Sequence, residues 1–363
     1  MSKRSMIIII VTIILMVIVV ALIFLNRANK TYAITYTLKD TVIKENKGTT
    51  WSSGASGVYE VIYTKADGTT IGKDYRYIGA EPNNYVKFNN DMYQIIGVFD
   101  ENSHGVAGKQ LVKVIRTRLL GAYSWGIHNT SLIDGGQKEL SNDWTGSDHT
   151  TPANLNVLLN EYFYNKIDIS DTYGSCGDWT YYRFSSSGSN YRTINCDNFM
   201  LYGIDSKVRN YIQTATFHLN GYNNKNLSKN DFYLCERGLY TGCSSANNGE
   251  YDSEINAYVG LLYPSDYKYA SGYFSTSNTI LATSYYGNQN WLYKGYEATI
   301  TPKNDTSDYI YAIDYSSNII EVSSYSNLGI RPLFYLKEDV YVTGGNGTFD
   351  NPYTLDCDTC DEN

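Results

Sequence analysis

The sequence predicts an α+β fold that follows a single N-terminal transmembrane helix. Three features of the 363-residue chain lead to this prediction: an unbroken apolar segment at residues 6–25, short strand patterns in the first and last thirds, and two helical patterns between them. Strands that are grouped apart from helices are typical of α+β domains.

The apolar segment is the first element of the chain. It runs from Met6 to Leu25, with Thr12 as its one polar residue, and a helix needs about 20 apolar residues to cross a bilayer. A cleavable signal peptide, the alternative, has a shorter apolar core of about 7–15 residues before a small-residue cleavage site. The residues that follow, NRANKTYA, form a poor cleavage site, so we expect an uncleaved anchor.

The anchor separates parts of the chain with different expected locations. Residues 1–5 form a short cytoplasmic tail, 26–50 a stalk, 51–355 the ectodomain and 356–363 a C-terminal tail. The positive-inside rule favours a cytoplasmic N-terminus, which places the large C-terminal part outside the cytoplasm. The net charge of −8 argues against a nucleic-acid partner, because such a partner requires a basic face.

The ectodomain begins with strand patterns. GVYEVIYTKADGTTIG (57–72) alternates on both sides of Asp67-Gly68, which predicts a hairpin. Residues 75–100 continue as strands that are interrupted at Pro82 and at an Asn-Asn turn at 89–90, and 110–117 alternate again. These segments predict the first group of strands.

Two helices are predicted in the middle of the chain. Thr151 can cap the first and Pro152 can take its first position, and the second covers 205–219 with Asp205 as its cap. The apolar stripe of the first helix recurs at helical spacing and consists of Leu155, Leu158, Leu159, Tyr162 and Phe163.

The last third returns to short strands. The predicted strands are 258–264, 290–293, 297–302, 309–314, 319–324, 329–337 and 340–343. With the first group they complete the sheet part of the α+β fold.

All the cysteines lie after the anchor, and their even number permits disulfides in an oxidising compartment. Pairing between sequence neighbours is the simplest arrangement, while free thiols and a metal site are the alternatives. The expected pairs are Cys176 with Cys196, Cys235 with Cys243, and Cys357 with Cys360.

A set of motifs in the order VGLLYPSDYKYAS, NWLY, ITP, IRPLFYLK and VTGGNGTFDNPYTL resembles a group of bacterial extracellular domains of unknown function. The resemblance covers about residues 75–355. These domains are similar in organisation to the C-type-lectin-like fold, including its formylglycine-generating-enzyme branch. The resemblance implies that a Gly-Ile-Arg strand closes the sheet beside the first strands, and that the glycine-rich hairpin after it returns the chain to the start of the domain.

The resemblance also implies roles for single residues. Gly329 would allow a close backbone approach, and Arg331 would be buried and paired with a carboxylate, for which we expect Asp266. Pro332 would lie at a strand edge or bulge, where no backbone donor is needed. Trp291 would belong to the core.

Candidate ligand contacts are few. Trp125, Trp144 and Trp179 lie near predicted loops, where an aromatic ring could stack on a sugar. The 37 tyrosines suit surfaces that contact sugars or proteins, but A/T-rich codon usage is the better explanation for most of them.

Cofactor and catalytic motifs are weaker. Glu81-Pro82-Asn83 is similar to the calcium and sugar motif of C-type lectins, but a turn explains it better, so calcium is possible rather than expected. We expect no catalytic residues and no metal ligands.

The sequence therefore predicts a membrane-anchored extracytoplasmic protein that binds a glycan, a cell-wall polymer or a protein without catalysis. The alternatives are a surface enzyme acting on a glycan or cell-wall substrate and a structural envelope protein. Paired carboxylates in a cleft would favour the enzyme, an exposed aromatic platform on the late loops would favour binding, and a featureless surface would favour the structural role.

Overall fold

The computed structural model describes residues 15–16, 36–129, 138–140, 143–145, 153–167, 183–184, 191–192, 202–240, 242–243, 253–272, 289–303, 309–324 and 326–357. The chain divides into two units between Tyr36 and Thr37. The elements below belong to the second unit.

Strands make up most of the regular structure. In chain order they are β1 (Gly57–Thr64), β2 (Thr70–Ile78), β3 (Tyr85–Phe88), β4 (Asp91–Phe99), β5 (Leu111–Arg116), β6 (Gly121–Ser124), β7 (Ile127–Asn129), β8 (Lys138–Leu140), β9 (Arg183–Phe184), β10 (Tyr191–Arg192), β11 (Ile212–Gln213), β12 (Ala215–His218), β13 (Glu254–Ala257), β14 (Glu297–Pro302), β15 (Tyr309–Ile313), β16 (Ile319–Ser323), β17 (Asn327–Ile330), β18 (Leu333–Leu336), β19 (Val342–Gly344) and β20 (Thr354–Leu355).

The helices are short. They are α1 (Leu38–Lys44), α2 (Glu101–His104), α3 (Asn154–Val157), α4 (Lys229–Glu236) and α5 (Pro264–Ala270), together with a π-helical segment (Leu158–Phe163) after α3 and a 3₁₀ turn (Arg209–Tyr211).

The predicted α+β class is wrong, because the residues that the structure describes are mostly β-sheet, with 37 % of them in strands and 18 % in helices. The predicted helix at 205–219 instead holds the 3₁₀ turn, β11 and β12. In β12, Ala215 and Phe217 are buried while Thr216 and His218 are half-buried. That alternation has the period of a strand and not of a helix.

The first predicted helix is confirmed in part. The stripe Leu155, Leu158, Leu159, Tyr162 and Phe163 is buried, but regular α-helix covers only α3 and continues as a π-helix. The predicted caps Thr151 and Pro152 lie outside the described residues.

The largest sheet in the described part of the chain has seven strands in the order β1-β2-β4-β5-β18-β11, with β3 paired to β4. All its pairs are antiparallel. The predicted hairpin at 57–72 is confirmed by the register of β1 and β2. The predicted turn between β3 and β4 is also confirmed, since Asn89 and Asn90 have φ values of 56° and 55°, which asparagine tolerates better than most residues.

A second sheet of five strands has the order β16-β15-β14-β17-β6 in the residues that the structure describes. Its β14–β17 pair is parallel, while its other pairs are antiparallel. The closing segment of the chain therefore contributes to both sheets, with β17 in this one and β18 beside β5 in the large one.

The C-terminal hairpin β19–β20 returns the chain to its first strands. Tyr353 exchanges backbone hydrogen bonds with β3, accepting one from Lys87 and donating one to Tyr85, and Tyr85 in turn donates to Gly347. Gly345 has a φ of 81°, and a Cβ there would collide with the carbonyl oxygen of Pro352. The hairpin thus needs glycine at this position.

The N-terminal predictions fall mostly outside the described residues. Of 6–25, only Leu15 and Met16 are described, and both are helical. Among the residues described, no helix is long and apolar enough to cross a bilayer. The folded unit begins at Thr37 and not at 51, because α1 packs into the core through Leu38, which is fully buried.

One of the three predicted cysteine pairs is confirmed. Cys235 and Cys243 form a disulfide, which joins α4 to the segment after it. Cys357 is also disulfide-bonded. Cys176, Cys196 and Cys360 lie outside the described residues.

Candidate functional site

The tryptophans proposed as ligand contacts do not form a surface. Trp125 is fully buried and donates from Nε1 to the carbonyl oxygen of Thr299 at 2.9 Å. Trp144 is 2 % exposed and packs against Trp125, with 4.9 Å between the ring centroids. Both belong to the core, so this prediction is wrong for them. Trp179 lies outside the described residues.

Trp291 lies in the core, as the sequence predicts, and is 4 % exposed. Its Nε1 donates to the carbonyl oxygen of Tyr77 at 2.9 Å. The indole therefore joins the segment before β14 to the large sheet.

Arg331 is fully buried and paired, but with Glu297 and not with Asp266. Its Nε and Nη2 each donate to one carboxylate oxygen of Glu297 at 2.8 Å, and Nη2 also donates to the carbonyl oxygen of Leu292 at 2.7 Å. The pairing prediction is wrong because Glu297 begins β14 directly opposite Gly329 of β17. This register brings the carboxylate to the end of β17.

The residues on either side of Arg331 have the predicted backbone roles. A Cβ at Gly329 would lie 2.8 Å from both the carbonyl oxygen of Tyr296 and the side chain of Leu119. Pro332 lies between β17 and β18, where only its carbonyl oxygen is used, as acceptor for the Arg116 N–H at 3.0 Å.

Asp266 lies instead at the centre of a second group of buried charges. Its Oδ1 accepts from Arg76 at 2.8 Å, and its Oδ2 accepts from Lys113 at 2.6 Å and from the backbone N–H of Tyr263 at 3.2 Å. Burial alone would raise the pKa of Asp266, but Lys113 and Arg76 outweigh it and hold the pKa below its usual value. Burial lowers the pKa of Lys113 to about 8.

Arg76 also donates hydrogen bonds to a tyrosine hydroxyl and to a second carboxylate. Its Nε donates to Tyr63 Oη at 2.6 Å and its Nη2 to Asp74 at 3.2 Å. Ser103 Oγ bridges Asp74 and Tyr233 Oη. The rings of Tyr63 and Tyr233 are parallel, with centroids 3.4 Å apart.

We call these charged groups the charge cluster, which consists of Asp74, Arg76, Lys113, Glu236, Arg237 and Asp266. Their side chains are at most 1 % exposed. The cluster connects β2 and β5 with the end of α4 and with α5. The paired charges hold these helices against the sheet, and removing one partner of such a group is costly.

The exposed feature with the most defined geometry is the turn between β15 and β16. Asp314 Oδ1 accepts from the backbone N–H groups of Ser316 and Asn318, both at 2.8 Å, and Oδ2 accepts from the Asn318 side chain at 3.2 Å. Tyr315 lies inside this turn and is 79 % exposed. The turn is thus fixed while its aromatic side chain is open to solvent.

Two more tyrosines donate hydrogen bonds to the backbone of the same turn. Tyr267, which is buried, donates from its hydroxyl to the carbonyl oxygen of Ser317 at 3.1 Å. Tyr293 donates from its hydroxyl to the carbonyl oxygen of Tyr315 itself at 2.8 Å. The backbone on both sides of the turn tip is therefore hydrogen-bonded to the domain.

The ring of Tyr296 lies beside that of Tyr315. Their centroids are 5.5 Å apart and their planes differ by 28°. We call Tyr293, Tyr296 and Tyr315 the tyrosine platform. Ser316 and Lys294, both exposed, flank it. Burial, followed by the neighbouring Tyr315 and Asp314, raises the pKa of Tyr296, so the ring stays neutral at physiological pH.

The sequence alone does not identify this platform, because codon usage accounts for most of the tyrosines. A usable signal exists in YIYAIDYSSNIIEVSS, where an aromatic residue stands among Asp, Ser and Asn between two alternating strands. Turn residues are expected at that position, but an exposed Tyr there is not needed for the turn.

The calcium motif gains no support from its geometry. Glu81 and Asn83 are exposed. In the part of the chain that the structure describes, no group of three or more His, Cys, Asp or Glu residues could hold a metal ion.

No protein-family model, curated protein or solved structure matches this chain. The resemblance to bacterial extracellular domains of the lectin-like type therefore stays a prediction.

Proposed function

We propose that this protein is a non-catalytic binding module on the outer side of a cell membrane, and that the tyrosine platform binds the sugar rings of a glycan or cell-wall polymer. The observation that carries the proposal is the 79 % exposure of Tyr315 on a turn fixed by hydrogen bonds. Exposed apolar groups that lie together mark interaction sites more often than single ones do, and the ring of Tyr315 lies beside that of Tyr296.

The chemistry of the platform suits a sugar. The apolar C–H face of a pyranose can pack on an aromatic ring, and Tyr offers such area with little loss of side-chain entropy on binding. Because the turn is already ordered, binding does not have to order it. The exposed Ser316 hydroxyl and Lys294 ammonium can hydrogen-bond sugar hydroxyls at the rim.

The placement outside the cytoplasm rests on two features. The apolar segment 6–25 would attach the chain to a membrane. The Cys235–Cys243 disulfide favours an oxidising compartment.

A screen of the full chain in detergent micelles tests the proposal. Binding would be measured to immobilised glycans and cell-wall fragments, with calcium and with a chelator. We expect saturable binding to one glycan class that the chelator does not abolish. A folded protein that binds none of them would contradict the proposal and favour the structural role, and turnover of a fragment would favour a surface enzyme.

A further inference from the structure

Arg237 is a buried cation with unused hydrogen-bond donors. It follows α4 directly, and its side chain is 1 % exposed. Its Nη1 donates to the carbonyl oxygen of Tyr233 at 3.1 Å and to Glu236 Oε2 at 3.3 Å. Its Nε and Nη2 are buried and have no hydrogen-bond partner among the residues that the structure describes.

Such donors are unusual inside a protein. A buried charged group that lacks its partners costs more than a neutral one, and an unsatisfied group of this kind points to a bound water or ion. The guanidinium carries five N–H groups, and the two contacts of Nη1 leave the Nε–Nη2 edge available. This edge is the side with which arginine binds anions.

Two aromatic rings lie near the guanidinium of Arg237. The guanidinium carbon lies 3.6 Å from the centroid of the Tyr233 ring, so one face of the group is covered. The Tyr263 ring lies 5.5 Å away, and the Tyr263 hydroxyl accepts from the backbone N–H of His218 at 2.7 Å.

The pairing of the individual cations favours an anion over water at Arg237. Within the charge cluster, Arg76 is paired with Asp74 at 3.2 Å and with Asp266 at 2.8 Å, and Lys113 is paired with Asp266 at 2.6 Å. Arg237 has only Glu236 at 3.3 Å, and both oxygens of that carboxylate already accept from Ser265, at 2.9 and 2.5 Å. Arg237 thus has the weakest counter-charge of the three cations.

We propose that the Nε–Nη2 edge of Arg237 forms an internal binding site for a small monovalent anion such as chloride. A halide accepts several N–H groups at once and supplies the charge that Glu236 provides only partly. The site is independent of the tyrosine platform, so either proposal can fail alone.

The test compares thermal unfolding of the full chain in sodium chloride, sodium bromide and sodium gluconate at equal ionic strength. A ligand that binds only the folded state raises the unfolding midpoint, and above its dissociation constant the rise grows with the logarithm of its concentration. We expect a rise of a few degrees in chloride and bromide over gluconate. Arg237→Met should remove this difference, while Arg116→Lys, which alters a buried arginine paired with Asp91 at 2.6 Å, should keep it.

A second measurement covers the case in which Arg237→Met does not fold. Chlorine-35 relaxation of the wild-type protein should show saturable broadening that bromide relieves by competition. Equal midpoints in chloride and gluconate, or a halide response that survives in Arg237→Met, would overturn the site. The absence of chlorine-35 broadening would also overturn the site and would indicate that water binds the Nε and Nη2 donors.

Discussion

At the residue scale, the buried ion pairs determine how the closing segment is held. Arg331 and Glu297 make two parallel hydrogen bonds of 2.8 Å with no solvent exposure of the arginine. Because two nitrogens of the guanidinium bind the same carboxylate, the two groups are fixed in orientation as well as in distance. The pair therefore locks the parallel register of β14 and β17, from which β18 continues into the large sheet.

We predict that Arg331→Met lowers the free energy of unfolding by about 3–5 kcal/mol, because it leaves Glu297 buried without its partner. Urea unfolding measures the change. The double variant Arg331→Met/Glu297→Leu removes both charges and should be clearly more stable than the single one. Equal stability of the two variants would show that packing and not charge explains the loss.

His104 predicts how stability depends on pH. It is fully buried, its Nδ1 accepts from the Val106 N–H at 3.1 Å, and its Nε2 lies 3.1 Å from the carbonyl oxygen of Phe99. Burial lowers the pKa of His104 to about 4. Since the unfolded chain takes up this proton first on acidification, His104 should cost up to about 3 kcal/mol of stability as the pH falls from about 6.5 to 4.

His104→Asn is the matched variant, because the amide can replace both ring nitrogens as acceptor and donor. Relative to the variant, wild type should lose up to about 3 kcal/mol of unfolding free energy between pH 7 and pH 4, measured in urea at pH 7, 6, 5 and 4. Other titrating groups, such as Glu236, whose pKa burial raises to about 7, cancel in this difference. A constant difference across the series would show that the histidine is not held neutral.

At the element scale, the C-terminal hairpin explains why the chain closes on a glycine-rich sequence. The hairpin pairs with β3 through Tyr353 and Gly347, and Tyr353 Oη donates to Glu45 just after α1 at 2.6 Å. The last strands thus hold the first helix and the first sheet together.

Gly345→Ala should unfold this hairpin at a cost of about 2 kcal/mol or more, since the left-handed backbone is strained and the added methyl group meets the Pro352 carbonyl. Gly108→Ala is the control: its φ is 68° and nothing lies within 4 Å of the added Cβ, so it should cost only about 1 kcal/mol. Thermal unfolding compares the two. Equal unfolding midpoints for the two variants would show that the contact of the added methyl group with Pro352 contributes nothing.

At the scale of the whole molecule, sequence patterns predicted strands better than helices. The alternation in β1 is local, so it is visible in the sequence, as are the short apolar runs of β14 and β15. The sequence pattern places the start of α5 in a strand, because the residues before it form an apolar run. The helix begins there because the Asp266 side chain accepts a hydrogen bond from the Tyr263 N–H. The partner of Arg331 could not be predicted, because it is set by a parallel register between distant strands.

The candidate site was harder to predict than the fold. Tryptophans near turns suggested ligand contacts, but a large indole gains more by burial in the core, as Trp125 and Trp144 do. Tyr315 carries no motif. The role that we propose for it rests on its exposure and on the hydrogen bonds that Tyr293 and Tyr267 donate to the backbone of its turn.

The most direct test of glycan binding at the tyrosine platform is the affinity of the full chain for its best glycan, measured for wild type, Tyr315→Ala and Phe349→Ala. Phe349 is a matched control, since it is an exposed aromatic residue (65 %) on the C-terminal hairpin. We predict that Tyr315→Ala binds at least about tenfold more weakly, a loss of about 1.4 kcal/mol, while Phe349→Ala binds like wild type. Unchanged affinity in folded Tyr315→Ala would contradict the account.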